Sequence, residues 1–303
     1  MHPKCKLKKE AILMKKILHA VIVLLLFMSC NKQKEAINKT DDIAIITTKF
    51  GELHVILYDE TPKHKENFLK LAREGFYDST TFHRIIEGFM IQGGDPNSKD
   101  ENTMNDGQGG PGYTIDAEFN NKFIHKKGAL SAARTGNVQN PEKKSSGSQF
   151  YIVQGRQVSS IELDQIMAQR NEMVHQEMIR DYVQATDQAE LLETITGYIQ
   201  NQQMNLVDSI ITSITPMATE GFVPSTYTDE QRASYAELGG TPFLDGNYTI
   251  FGEVIRGLAV IDSVIIQNTS EMDRPLENIT MTVTVETMDK TYIQNEYGYI
   301  YEQ

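Results

Sequence analysis

The sequence predicts a mainly β protein, a closed antiparallel barrel with few helices of its own, carrying a separate helical stretch within it. Short runs that alternate apolar and polar residues recur on both sides of the middle of the chain and stop at glycine clusters. Such strands, with few helices between them, suit a closed barrel. Between residues 156 and 237 the alternation gives way to apolar spacings of three and four, the period of a helix. The 303 residues are 40% hydrophobic and 23% charged, an ordinary balance for a folded chain and one that excludes disorder throughout.

Residues 1–29 read as a signal peptide. Lys4, Lys6, Lys8, Lys9, Lys15 and Lys16 precede the apolar run Ile17 to Met28, too short for a comfortable membrane span. The run ends at Ser29 and Cys30, which resembles a bacterial lipoprotein cleavage site with Cys30 as the lipidated residue. Residues 30–41 are polar and aperiodic, a tether. Ile43 to Thr48 and Leu53 to Tyr58 are β-rich runs around a Gly51 hairpin. Thr61 and Pro62 mark the N-cap and first position of a helix that stops at Gly75. Thr81 to Asp95, TFHRIIEGFMIQGGD, alternates as two short strands and a turn.

Beyond Arg156, Ser159 with Glu162 forms a capping box for a helix through Val183. Asp187 with Glu190 caps a second helix that runs through Leu206 and Ile210 to Ile214, and Thr228 with Gln231 opens a third, stopped by Gly239 and Gly240. These predict a helical hairpin plus a short helix, whose methionines either pack the helices together or form an adaptable binding surface. Gly257 to Ile266 has helical spacing and Ile279 to Glu286 alternates as a last strand; residues 289–303 form a tail or an edge strand.

Five segments carry a resemblance. TFHRIIEGFMIQGGD, then GGPGYTIDAEF from Gly109, GALSAAR from Gly128, GSQFYI from Gly147 and TPFLDGNYTIFGEVI from Thr241 resemble, in order, the segments of cyclophilin-type peptidylprolyl cis-trans isomerases. The resemblance implies an eight-stranded antiparallel barrel capped by two helices, built from residues 42–155 and 238–288, with residues 156–237 as an α-helical insertion in one of its loops.

It also implies the chemistry, rotation of X-Pro bonds without covalent catalysis. By the resemblance Arg84, Phe89 and Gln92 are the catalytic residues, with the Arg84 fork as donor to the substrate carbonyl and prolyl nitrogen. Phe89, Met90, Tyr151 and Leu244 wall a proline pocket, Gln92 and Gln149 orient the arginine and the substrate backbone, and Ala133, Arg134 and Thr135 line the groove for the residues before proline. Phe243 and Tyr248 complete the substrate-binding set. Three positions depart from the family. Tyr151 stands in place of a common Phe and puts a hydroxyl at an apolar floor, Phe243 replaces a Trp of eukaryotic members, and Tyr248 replaces a common His.

No cofactor or metal is required, and His83 and His125 stand without the ligand spacing of a metal site. Loss of the leader, with six lysines and one glutamate, takes the formal charge from −12 to −17, so nucleic acid and anionic membrane surfaces are poor partners. Cys5 leaves with the leader, so no internal disulfide can form. The expected protein is a monomeric, exported bacterial lipoprotein of the cell envelope, facing the periplasm or on the outer membrane. Its partners are proline-containing unfolded or nascent exported polypeptides. The rival expectation is a client-binding or chaperone module with weak isomerase activity that uses the helical insertion.

Overall fold

A computed structural model describes residues 39–301, so the leader, Cys30 and most of the tether lie outside the described residues. Thr40–Thr48 (β1) and Gly51–Leu57 (β2) form the predicted hairpin. Helix α1, Pro62–Arg73, follows, then β3 (Arg84–Ile86), β4 (Met90–Gly93), β5 (Thr114–Ile115), β6 (Ala129–Ala132), β7 (Ser145–Ser146) and β8 (Phe150–Val153). After the helical insertion come β9 (Ile250–Arg256), α6 (Leu258–Ile265), β10 (Met281–Asp289) and α7 (Lys290–Tyr297). Eight strands pair antiparallel in the order β10-β1-β2-β9-β6-β8-β4-β3, while β5 and β7 pair apart. The two ends of that order meet through residues ahead of β3 and around the start of β10: Phe82 N donates to Ile279 O at 3.0 Å and Met281 N to Thr80 O at 2.8 Å.

Side chains alternate across this sheet with period two. Ile85, Ile91, Leu130 and Ile152 point to one face and join Phe68, Leu71, Ile261 and Val264 of helices α1 and α6 in the largest buried core. Met90, Ala129, Tyr151 and Val153 point to the other face, where a second cluster forms with Ile43, Ile45, Ile56 and Leu244. Helix α7 covers part of that second face with Ile293, fully buried. This differs from the tail or edge strand expected of residues 289–303. Asp289 accepts from the Thr291 and Tyr292 amides and so starts a helix where the strand pattern stops.

The insertion holds α2 (Ser160–Gln184), α3 (Ala189–Gln200), α4 (Met204–Ala218) and α5 (Asp229–Glu237). The single long second helix of the sequence reading is two helices, because Gln202 takes a left-handed φ of 57° and ends the run. Neither Asp187 nor Glu190 caps it; the N-cap of α3 is Gln188, which makes no side-chain cap bond. Ser159 accepts from the Glu162 amide at 3.3 Å, but the Glu162 carboxylate goes to Arg156 instead of closing a box. Thr228 and Gln231 do form the reciprocal box at α5.

Two hydrophobic clusters divide the insertion. Ile179, Val183, Ile195, Val207 and Ile214 hold the far ends of α2, α3 and α4 together, so branched aliphatics rather than methionines form that core. Leu163, Met167, Tyr227 and Tyr235 pack with Ile124 and Val158 near the sheet. The chain enters and leaves the insertion through a stalk in which Arg156 and Gly240 exchange backbone bonds of 3.3 and 2.9 Å. A Cβ on Gly155 would meet the Gly240 backbone at 2.3 Å, so only glycine lets the two segments pass so closely. Among the described residues, no helix is long and apolar enough to cross a membrane.

Candidate functional site

Register places the key side chains before any side-chain contact is considered. Arg84 on β3 stands opposite Gln92 on β4, and Gln92 opposite Tyr151 on β8, so the three lie in a row on one face of the sheet. Met90, two residues before Gln92, shares that face. Met90, Ala133, Tyr151 and Leu244 are buried in one cluster, with Phe89 and Tyr248 packed against it. Phe89 lies 5.7 Å from the ring of Phe243, which is 59% exposed and stands at the rim. The Tyr248 ring meets the Tyr151 ring edge-on at 5.8 Å. The result is an apolar floor beneath one guanidinium.

Beside the floor runs a groove of about 890 Å³, lined by Gln92, Gln149, Ala133, Arg134, Thr135 and the glycine-rich loop through Gly109. The Gln149 amide donates to Gly107 O at 3.0 Å and Gly109 O at 2.8 Å, while its carbonyl accepts from the Gln92 amide at 3.2 Å. The pair therefore fixes the loop and presents a polar edge. Arg134 is anchored rather than free: it donates to Asn247 O at 2.9 Å and Asn137 Oδ1 at 2.8 Å, and lies 4.4 Å over the Tyr248 ring. Thr135 is exposed at the groove edge.

One feature differs from the sequence reading. Among the described hydrogen bonds neither glutamine reaches Arg84; its guanidinium instead approaches the Asp273 carboxylate, Nε to Oδ2 at 3.5 Å. Asp273 sits at a left-handed φ of 62° in the turn before β10, and its carbonyl accepts from the Ile85 amide at 2.8 Å. Nothing in the sequence pattern ties residue 273 to residue 84. Asp106, whose side chain is largely buried, accepts from Arg274 Nε at 2.7 Å, which clamps the same turn to the groove loop.

His125, set aside as a metal ligand, is buried and paired. Asp245 Oδ1 accepts from both its backbone amide at 2.9 Å and its Nδ1 at 2.7 Å. With Nδ1–H donating to a carboxylate, a neutral ring leaves Nε2 to accept the Tyr151 hydroxyl at 2.9 Å. The hydroxyl that departs from the family pattern is thus satisfied beneath the floor, and burial pushes its ionisation well above the usual phenol value. What the floor offers outward is a ring, a thioether and a leucine.

Residues 43–286 match the family model described as cyclophilin type peptidyl-prolyl cis-trans isomerase/CLD. A Staphylococcus saprophyticus protein provisionally named a peptidyl-prolyl cis-trans isomerase is 28% identical over 249 residues, 81% of this chain and 91% of that protein. A Streptococcus pyogenes protein provisionally named a bifunctional phosphatase/peptidyl-prolyl cis-trans isomerase is 29% identical over 255 residues. That match takes in 83% of this chain and 40% of the relative, so the chain spans less than half of that relative's length. A solved Cryptosporidium parvum cyclophilin type peptidyl-prolyl cis-trans isomerase has a TM-score of 0.48 and 20% identity, over 82% of this chain and 98% of that one.

Proposed function

This chain belongs to the cyclophilin-type peptidyl-prolyl cis-trans isomerase family, and from that premise we propose that it rotates X-Pro bonds in unfolded or nascent exported polypeptides with Arg84 as the key donor. A peptide C–N bond resists rotation by about 18–20 kcal/mol because the nitrogen lone pair is delocalised into the carbonyl. A donor that meets the twisted amide better than the planar one lowers that barrier, and a dry floor that grips the prolyl ring keeps water from competing. Phe89, Met90, Tyr151 and Leu244 supply the floor and Gln92 the polar neighbour; the groove through Ala133, Arg134, Thr135 and Gln149 takes the residues before proline. Phe243 and Tyr248 close the rim.

The observation that carries this reading is the row Arg84, Gln92, Tyr151 on one face of three adjacent strands, over buried Met90 and Leu244. The test is isomerisation of a short X-Pro peptide by residues 31–303 and by its Arg84→Ala form. A loss of about 10²–10³ in kcat/KM is expected, the cost of removing one transition-state donor. Equal activity in a folded variant would remove Arg84 from the mechanism.

The domain reading is a barrel of residues 42–155 and 238–288, closed by the short seam at residues 79–82 and 279–281, with the insertion at 156–237. Localisation to the envelope through a lipidated Cys30 belongs to the same proposal. Labelling of expressing cells with a radioactive fatty acid should mark the wild type, and Cys30→Ser should abolish the label. A second reading, client binding by the insertion, is favoured by Met173, Val174, Ile199, Met204 and Met217, all exposed on its helices.

A further inference from the structure

Four donors converge on the buried carboxylate of Asp245. His125 supplies its backbone amide and Nδ1 to Oδ1 at 2.9 and 2.7 Å. Oδ2 accepts the Tyr227 hydroxyl at 2.8 Å and the Tyr235 hydroxyl at 2.6 Å. Both tyrosines belong to the insertion, Tyr227 just ahead of α5 and Tyr235 within it. Every member of the set, Tyr151 included, is buried. A carboxylate has two oxygens and accepts only, so this one is fully used, and its place is fixed from both the sheet side and the insertion side.

The same carboxylate reaches the floor of the proline pocket by two routes. Its residue follows Leu244 directly in the chain, and His125 links it to the Tyr151 hydroxyl through Nε2 at 2.9 Å. The His125 and Tyr151 rings lie nearly parallel, 9° apart, so a small rotation of the imidazole would misalign that bond. If it broke, the buried hydroxyl would lose its histidine acceptor and be left with Ser131, opposite Tyr151 on β6, so the ring that walls the pocket would shift.

We propose that the insertion is a positioning element for the proline pocket: Tyr227 and Tyr235 clamp Asp245, Asp245 sets the tautomer and orientation of His125, and His125 draws the Tyr151 hydroxyl away from the prolyl ring. None of these four residues touches the rotating bond. Their action is on how well the floor accepts proline, which is binding shared by ground and transition states and so belongs to KM rather than kcat. The inference deepens the proposed function and rests on Tyr151 as a wall of the pocket.

The test is a cycle of full-length variants. Tyr227→Phe with Tyr235→Phe should raise KM for a short X-Pro peptide about 3- to 10-fold with kcat within about twofold. In a Tyr151→Phe background, where no hydroxyl needs holding, the same pair should leave KM unchanged. The same KM increase in both backgrounds, or none in the first, overturns the proposal. Peptide affinity measured by calorimetry should follow the same cycle, so a non-additive affinity cycle beside an Arg84→Ala enzyme of full activity would sink the assignment of Arg84 and leave this one standing. Should the double variant fold poorly, nitrogen NMR of His125 in Tyr235→Phe decides. A wild-type Nε2 without a proton whose resonance moves in the variant supports the relay, while a protonated Nε2 or an unmoved resonance overturns it.

Discussion

Arg84 and Asp273 face each other across 3.5 Å with side chains 41% and 44% exposed, so the pair is a steering contact and not a buried lock. Exposed ion pairs of this kind contribute about 0–1 kcal/mol, which bounds the effect on rate at roughly fivefold. Asp273→Gly keeps the left-handed backbone that position 273 adopts and removes only the carboxylate. It should lower kcat/KM by up to about fivefold with little change in melting temperature. A loss near that of Arg84→Ala would mean the carboxylate does more than hold the fork. Arg84 and Gln92 were nominated from the sequence because they sit in one short segment that resembles the family's. Asp273 was not, since its approach to Arg84 follows from a turn folded back from nearly two hundred residues away.

Helix α1 shows why element boundaries were clearer than their stabilising contacts. Thr61 and Pro62 mark its start as expected, yet the Thr61 hydroxyl donates to Tyr58 O and caps nothing. The first-turn amides of Lys63 and His64 donate instead to the Glu118 carboxylate at 3.1 and 3.0 Å, and His64 Nδ1 lies 2.6 Å from it. A carboxylate at a helix N-terminus satisfies orphan amides and meets the positive end of the dipole. Glu118→Ala should therefore cost about 1–2 kcal/mol of stability, whereas Thr61→Val should cost less. Urea denaturation of both variants checks the order, and a larger loss from Thr61→Val would contradict it. Local spacing announces a helix, but a cap supplied from another loop leaves no local trace.

At the scale of the whole molecule two properties combine distant parts. Burial lowers the proton affinity of His64 and His83 below the ordinary value of 6.5, with neighbouring carboxylates opposing it at each. The unfolded chain then binds more protons than the folded one, so their contribution to stability is complete above about pH 6.5 and is lost as pH falls through and below it. Melting temperature should drop between pH 7 and pH 5, and His83→Leu should flatten part of that slope; a flat wild-type profile would contradict the account. The insertion separates in the same way. The rings of His175 and Phe222 lie 5.5 Å apart, so Gln176 to Gly221 can be replaced by a short glycine linker that leaves Met167, Tyr227 and Tyr235 in place. Isomerisation of a short peptide should stay within about twofold, because the removed helices hold a core of their own. Lost suppression of client aggregation in that variant would support client binding by the distal helices, and unchanged suppression would end that reading.

By itself the sequence determined the strand pattern, the glycine-punctuated order of segments and the family, because these are written in local periodicity and short ordered motifs, and through the family resemblance it nominated Arg84, Phe89, Gln92 and the floor residues. Tertiary structure decided what surrounds them. The break of the second insertion helix at Gln202 and the helix in place of a tail at 290–297 are local backbone choices that periodicity does not announce, whereas the Asp273 partner of Arg84 and the Glu118 cap depend on groups brought together across long stretches of chain. So does the Asp245 junction, where one carboxylate can be shared by a histidine and two tyrosines only after the sheet and the insertion have packed. Periodicity constrains which face a residue turns to, and packing alone selects the partner it finds there.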